Sequence, residues 1–426
     1  MHSIKTKVRQ WIKRIVDYSI EGEYKIYRLK HTPFRGKIKY TSKYHRLYEM
    51  LPVQRDKVIF DNYKGGGFGC NCKYVLLEML RQGIEADYVW VLRDPKDAET
   101  LPEKVRVVPY GSEEALEEYA TAGVWVNNFQ MTYYLNQGLL KKPTQSYIQM
   151  WHGSFGIKKI EGNCDILSAD KAWLALAKKN AAYTDYWISN SSFETRVYKD
   201  AFWGAGNILA YGHPRNDIFF GDTTWCAQRV KEHYNIKNKK MVLYVPTFRD
   251  QNRSEVAGVD VEELLDRLGQ KFGGQWVFAL RRHPRMVHGE VDGFDITARG
   301  KEGRRLVCDV TDYPDIQELL AAADAVITDY SSAIFDFMLT GRPGFLLAED
   351  YRKYCDLRGL YYPLEETPFP LAFSGEELFD SIAQFDKNEY EKKCKKFLCE
   401  KGSVEDGNAS ARVAKLVAEL IDKGEK

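Results

Sequence analysis

Short apolar runs alternate with amphipathic stretches along this chain, and that alternation restricts its fold more than any other feature. Val58-Ile59-Phe60 is followed by a helical pattern near 72–82 and then by Tyr88-Val89-Trp90-Val91-Leu92. Val105–Val108, Val124-Trp125-Val126, Tyr147–Met150 and Tyr186-Trp187-Ile188 continue the series. Apolar runs separated by helical patterns predict a parallel α/β sheet. After Gly212-His213-Pro214-Arg215 the pattern restarts with Met241–Val245, Trp276–Leu280, Leu306-Val307-Cys308, Ala325-Val326-Ile327 and Phe345-Leu346-Leu347. Two doubly wound units facing across a cleft are therefore expected, over residues 51–212 and 213–400. Residues 401–426 should be helical, with Val413, Leu416, Val417, Leu420 and Ile421 on one apolar face. With 426 residues, 44% of them hydrophobic, and with 27 Tyr, 21 Phe and 9 Trp, the chain is neither disordered nor of low complexity.

The formal charge of +2 hides an uneven distribution. Residues 1–46 hold 13 Lys/Arg against 3 Asp/Glu, a net +10 that leaves −8 on the other 380 residues. Within that basic segment, about residues 1–50, Ile4, Val8, Trp11, Ile12 and Ile15 recur at helical spacing between Lys5, Lys7, Arg9, Lys13 and Arg14. Two readings stand: a helix lying on an anionic membrane surface, or a solvated helix with one face on its own domain. No basic surface elsewhere extends the segment into a nucleic-acid footprint. No run approaches the 18 apolar residues of a membrane span, and no secretory core is visible, so the expected location is cytoplasmic, peripheral at the inner face of the membrane. The eight cysteines, with Cys70 and Cys72 the nearest pair, lack the spacing of a zinc site and are read as reduced thiols.

In doubly wound folds ligands meet the carboxyl ends of strands, so the residues there are the ones to inspect. Tyr147–Met150 runs into Trp151-His152-Gly153-Ser154, Met241–Val245 into Pro246-Thr247-Phe248-Arg249-Asp250, and Trp276–Leu280 into Arg281-Arg282-His283-Pro284-Arg285. Ala325–Thr328 runs into Asp329-Tyr330-Ser331-Ser332 and a helix over Ala333–Leu339. A hydroxyl-rich turn at a helix start is an anion site, or else ordinary capping by Ser331 or Ser332. Arg249 and Arg281 suit a diphosphate through bidentate hydrogen bonds, or else pair with Asp250 or Asp329. Of eight histidines, His152 and His283 fall at strand ends in opposite halves, where one can take a proton from an acceptor hydroxyl and the other can neutralise phosphate. His213 sits at the junction and is read as positional. No P-loop, no Gly-x-Ser-x-Gly elbow and no His-Glu-x-x-His helix is present, and Gly65-Gly66-Gly67-Phe68-Gly69 matches a dinucleotide fingerprint only loosely. No metal motif and no cofactor is called for.

These clusters resemble the CDP-glycerol glycerophosphotransferase family. The matching residues are Trp151-His152-Gly153 with Lys158-Lys159-Ile160, Gly212-x-Pro214-Arg215-Asn216-Asp217, Pro246-Thr247-Phe248-Arg249-Asp250, Arg281-x-His283-Pro284, and Asp329-Tyr330-Ser331-Ser332 with Phe335-Asp336, in order over roughly residues 55–365. The resemblance implies a GT-B fold and transfer of a polyol phosphate from CDP-glycerol or CDP-ribitol to a lipid-linked or polymeric acceptor, with release of CMP, in teichoic acid or capsular polymer synthesis. By position, His152 would be the general base, and Arg249, Arg281, His283, Ser331 and Ser332 would grip the diphosphate. Asp329 and Asp336 would orient those groups, and Lys158, Lys159 and Asn71 would meet the acceptor. Where family members commonly show a Gly-Asp-Asn-Pro-Lys-Tyr turn, this chain has Gly69-Cys70-Asn71-Cys72-Lys73-Tyr74. A nucleotide-sugar glycosyltransferase on the same fold and a non-catalytic binding protein are the rival readings.

Overall fold

A computed structural model describes residues 45–165, 170–247, 259–282, 300 and 305–422. The amphipathic pattern of residues 4–15 lies outside them, as do Arg249 and His283.

The first half is a parallel seven-stranded sheet built from β1 (Gln54–Asp61), β2 (Asp87–Leu92), β3 (Arg106–Pro109), β4 (Ala122–Asn127), β5 (Ser146–Gln149), β6 (Tyr186–Ser189) and β7 (Asn207–Ala210), in the order β3-β2-β1-β4-β5-β6-β7. The second is a parallel six-stranded sheet of β8 (Lys240–Tyr244), β9 (Trp276–Leu280), β10 (Val307–Asp309), β11 (Ala325–Thr328), β12 (Gly344–Leu347) and β13 (Leu371–Ala372), in the order β10-β9-β8-β11-β12-β13. Each sheet starts at its centre, winds one way, then reverses. The reversal falls between β1 and β4 in the first sheet and between β8 and β11 in the second.

The strands read as unbroken apolar runs because both faces are covered. In the first sheet Val58, Phe60 and Trp90 face one side, while Ile59, Val89, Val91 and Trp125 face the other with Tyr119 and Tyr134. The period of two along β1 therefore separates two distinct cores.

The last helix, Ala409–Asp422, does not extend the second half. Its Val413, Ala414, Leu416 and Val417 complete the first-half core beside Val75, Leu76 and Met79 of the helix Cys70–Arg81. Asp217 at the junction receives the amides of Ala409 and Ser410 at 3.0 and 2.7 Å and so caps the returning helix. The two halves are further joined by Lys73, whose Nζ lies 2.8 Å from Asp315 and 2.6 Å from Glu318 of the second half.

Truncating Leu416, 7% exposed, to Ala is expected to cost about 2–4 kcal/mol in urea unfolding. Hydrogen exchange should show protection lost first at Cys70–Arg81 in the opposite part of the sequence. Loss confined to Lys387–Lys401, the preceding helix, would contradict this packing.

Candidate active site

Strand β5 ends at Gln149 and delivers His152, half-buried, to the junction between the halves. Its Nδ1 lies 3.0 Å from the carbonyl oxygen of Asn128. A carbonyl only accepts, so Nδ1 carries the proton and Nε2 is the basic nitrogen of the neutral ring. Aromatic rings fix the imidazole: Trp151, Phe129 and Tyr63 stand 4.5, 4.9 and 5.1 Å away between centroids. Gly153 faces the other half, where a methyl group on its Cα would lie 3.8 Å from Ser332 Oγ. The base and the hydroxyl-rich turn are thus within one small ligand of each other.

Ser332 occupies the N-cap position of the helix Ala333–Met338 without a side-chain capping bond, while Ser331 Oγ accepts from the Ala333 amide at 3.4 Å. Asp329 receives the Thr247 amide at 2.9 and 3.1 Å and that of Tyr330 at 2.5 Å. It thereby anchors the chain just past β8. Arg281, at the end of β9, donates through Nη1 to the Tyr313 carbonyl at 2.6 Å. Burial pulls its pKa below the ordinary arginine value.

Asp336, Asn71, Lys158 and Lys159 each have partners within the fold. Asp336, 4% exposed, turns inward: Arg215 Nε donates to Oδ2 at 3.0 Å, Ser154 Oγ to Oδ1 at 2.5 Å, and Gln317 Nε2 to Oδ2 at 3.3 Å. Burial works against its charge, but the Arg215 guanidinium and the Ser154 hydroxyl outweigh it and hold the carboxyl below its ordinary range. Asp336 is a positioning residue that ties the His152 loop to the hydroxyl turn. Asn71 is fully buried; its amide donates to the carbonyls of Met150 and Trp151 at 3.4 and 3.1 Å, and its oxygen accepts from the Arg215 amide at 3.1 Å. It braces the same loop. Lys158 and Lys159 are half-buried, with Lys158 bridged to Leu360 and the Lys159 amide donating to Gly359 O at 3.1 Å. Their backbone stitches the loop to the second half.

Sequence reasoning gave no role to Arg215, Ser154 or Glu194. Arg215 is 2% exposed and also reaches Ser154 Oγ at 3.1 Å. His213 lies between, with Nδ1 3.1 Å from Ser154 Oγ and Nε2 3.0 Å from Glu194. The motif around Pro214 carried the signal, since a charged residue held in a junction motif predicts a buried partner.

Backbone strain gathers here. Of the eight non-glycine residues with positive φ among those described, Tyr63, Lys64, Cys70, Trp151, Phe155 and Glu161 lie on the loop after β1 or the loop after β5. Left-handed backbone costs a residue with a Cβ about 1–2 kcal/mol and persists where surrounding contacts enforce it, typically at functional sites. Glu161 is 5% exposed and accepts a hydrogen bond from Gln130 Nε2. Burial pushes its carboxyl up to about 8, against the pull of Arg358, Gln130 and Lys64. Cys70 and Cys72 are buried free thiols, Cys72 donating to the carbonyls of Asp61 and Val126 at 3.6 Å. Among the described residues no three His, Cys, Asp or Glu gather into a group that could hold a metal ion, and no helix is long and apolar enough to cross a membrane.

Two doubly wound sheets joined through the ends of their strands, with a histidine loop on one side and a hydroxyl turn on the other, define a protein of the GT-B architecture. The chain belongs to the CDP-glycerol:poly(glycerophosphate) glycerophosphotransferase family, whose model matches residues 43–419. It is 29% identical to the teichoic acid poly(glycerol phosphate) polymerase of Staphylococcus epidermidis over 91% of its own length and 54% of that protein, so it spans about half of that relative. It is also 29% identical to the teichoic acid glycerol-phosphate transferase of Staphylococcus aureus, over 96% of this chain and 99% of that one. Among solved structures, the wall teichoic acid polymerase TagF superposes with a TM-score of 0.78 at 26% identity, covering 94% of this chain and 98% of that chain. A variant of TagF has been solved after a soak with CDPG.

Replacing Asp336 with Asn leaves Arg215 buried without its counter-charge and is expected to cost about 3–5 kcal/mol in denaturant unfolding. Glu161 gives a pH signature. A carboxyl whose folded pKa is about 8, against an ordinary 4.5, binds more protons folded than unfolded across that window, so stability falls as pH rises through it. Glu161→Gln should shrink the difference in Tm between pH 5 and pH 8; an unchanged difference would show that Glu161 is charged in the folded protein.

Proposed function

We propose that this chain transfers a polyol phosphate, glycerol phosphate in the first place, from a CDP-polyol to a hydroxyl of a polymeric or lipid-linked acceptor, with release of CMP. The observation that supports the reading is a histidine whose Nδ1 is held by the Asn128 carbonyl, on a loop whose next residue, Gly153, comes into near contact with Ser332 of the opposite half.

The chemistry needs an alcohol deprotonated on one side and a departing phosphate stabilised on the other. His152 Nε2 takes the proton of the acceptor hydroxyl as its oxygen attacks the phosphorus that carries the polyol. The bond from that phosphorus to the bridging oxygen breaks, and CMP leaves with the new charge. Arg281, Ser331 and Ser332 meet that charge, with Arg249 and His283 assigned to it from the sequence motifs. Asp329 and Asp336 orient these groups through the backbone of Thr247 and through Arg215 and Ser154. The scheme assigns no step to a metal or cofactor. Holding the two substrates in line between two halves supplies much of the rate by orientation alone.

CDP-ribitol is the alternative donor, because the residues named here grip the diphosphate and leave the polyol unread. The net +10 of residues 1–46 supports docking on an anionic membrane surface at the cytoplasmic face, where a lipid-linked acceptor would be met.

CMP release should be measured with CDP-glycerol, CDP-ribitol and a UDP-sugar in parallel, using a short lipid-linked polyol-phosphate acceptor. Acceptor-dependent CMP release is expected, reduced about 10²–10⁴-fold by His152→Ala. UDP release from the sugar, with no CMP from either CDP-polyol, would replace this reading with glycosyl transfer.

A further inference from the structure

Three charged side chains are buried where the first half meets the second, and the transfer chemistry uses none of them. Lys73, on the helix Cys70–Arg81 of the first half, places Nζ 2.8 Å from Asp315 and 2.6 Å from Glu318 at the start of the helix Ile316–Ala322 of the second half. The Tyr74 hydroxyl donates to the same Asp315 oxygen at 2.9 Å, and Arg229 pairs with the other oxygen of Glu318. Charges taken out of water are costly unless each is paired and hydrogen-bonded. Burial works against the Glu318 charge, but Lys73, Arg229 and the Tyr313 hydroxyl outweigh it and hold its carboxyl below the ordinary range. Burial likewise works against the Lys73 charge, and Asp315 and Glu318 outweigh it.

This cluster leads to Arg281 through one residue. The Tyr313 hydroxyl donates to Glu318 Oε2 at 2.5 Å and accepts from Arg229 Nε at 3.2 Å, while its carbonyl accepts from Arg281 Nη1 at 2.6 Å. The Val310 carbonyl shares that nitrogen at 3.4 Å. Arg281 is thus held by neutral carbonyls and, among the described residues, by no carboxylate. A phosphate site needs this arrangement. A carboxylate on the guanidinium would compete with the ligand for the same fork of donors, whereas carbonyls orient it and leave its charge available.

The nearest competitor is Asp315. Burial lowers the Arg281 pKa, and Asp315 is the strongest of the groups that oppose it. Asp315 is also the carboxylate that Lys73 and Tyr74 engage from the first half. Gly69 lets that half press close on the turn between Tyr313 and Asp315, since a Cβ there would stand 3.3 Å from the Pro314 carbonyl oxygen.

We propose that Lys73 is a positioning residue for the donor: by neutralising Asp315 and Glu318 from the opposite half, it keeps both carboxylates off Arg281 and holds the Tyr313 turn that orients the guanidinium for the diphosphate. The inference rests on Arg281 binding the diphosphate of a CDP-polyol. A helix of the first half thereby completes the donor site of the second, and donor affinity depends on the two halves being docked.

The test is calorimetric binding of CDP-glycerol and CDP-ribitol to the full chain, joined to KM and kcat for CMP release. Lys73→Met keeps most of the stem and removes the charge; it should weaken donor binding about tenfold and raise the donor KM to match, with the acceptor KM unchanged. Adding Glu318→Gln to Lys73→Met removes one charge of each sign and should restore donor binding to within about threefold of wild type. A merely structural ion pair gives the opposite order, because the double variant has then lost a further contact. Tyr313→Phe keeps the packing, cuts the link to Glu318 and should also weaken donor binding. Equal donor binding by wild type and Lys73→Met overturns the proposal, as does a double variant that binds no better than the single one. If Lys73→Met does not fold, unchanged donor binding by Tyr313→Phe overturns it. A wild type that binds neither CDP-polyol overturns the donor assignment and this inference together, whereas equal binding by wild type and variants leaves the donor assignment standing.

Discussion

The buried ion pair between Arg215 and Asp336 is the contact on which the rest of the junction depends. A guanidinium and a carboxylate removed from water are tolerated only if every remaining donor and acceptor is satisfied. Here Ser154 and Gln317 donate to the carboxylate, Cys70 Sγ and Ser154 Oγ accept from the guanidinium, Asn71 accepts the Arg215 amide, and through Asn216 and His213 the network reaches Glu405 of the returning tail. Burial raises the Glu405 carboxyl to about 7, against the pull of His213 and Asn216. The three parts that must be aligned, the His152 loop, the hydroxyl turn and the junction segment, each contribute a member. Their relative placement is therefore set by hydrogen-bond geometry, which is directional, rather than by apolar contact, which is not.

The sheets were readable because parallel strands buried on both faces leave nearly continuous apolar runs, and every run named in the sequence lies within a residue or two of a strand. The His152 loop, Asp329, Ser331 and Ser332 were readable for a related reason: strand ends are where such folds expose chemistry. What the sequence could not show is which polar residues face inward. Asp336 sits one turn into a helix, and nothing in its local pattern distinguishes a carboxylate aimed at a ligand from one aimed at Arg215, 121 residues away in sequence. Asn71 is the same case, because its neighbours were legible but its partners, Met150, Trp151 and Arg215, are brought together only by the fold. The apolar face of Ala409–Asp422 was visible, yet its attachment to the first half was not, since amphipathicity names a face and never its partner.

The two halves solve one problem twice. Each reverses its strand order at the centre, and each places at that reversal a pair of loops locked by side-chain to backbone bonds: Asn128 holding Tyr63 in one, Asp329 holding Thr247 in the other. A short polar side chain from one loop accepts the amide of the next, so the loops move together if they move at all. Rigid loops on rigid strands suit a reaction in which a hydroxyl and a phosphorus must meet in line.

The return of Ala409–Asp422 to the first sheet also has a consequence for biogenesis. The first half lacks one wall of its core, Val413, Ala414 and Val417, until those residues have left the ribosome. Val75, Leu76 and Met79 stay uncovered while some three hundred further residues are made, a period in which exposed apolar surface invites chaperones or aggregation. Completion of the first half thus waits on a helix made some three hundred residues later, and a nascent chain that stalls before that helix is left with an open core in the first half.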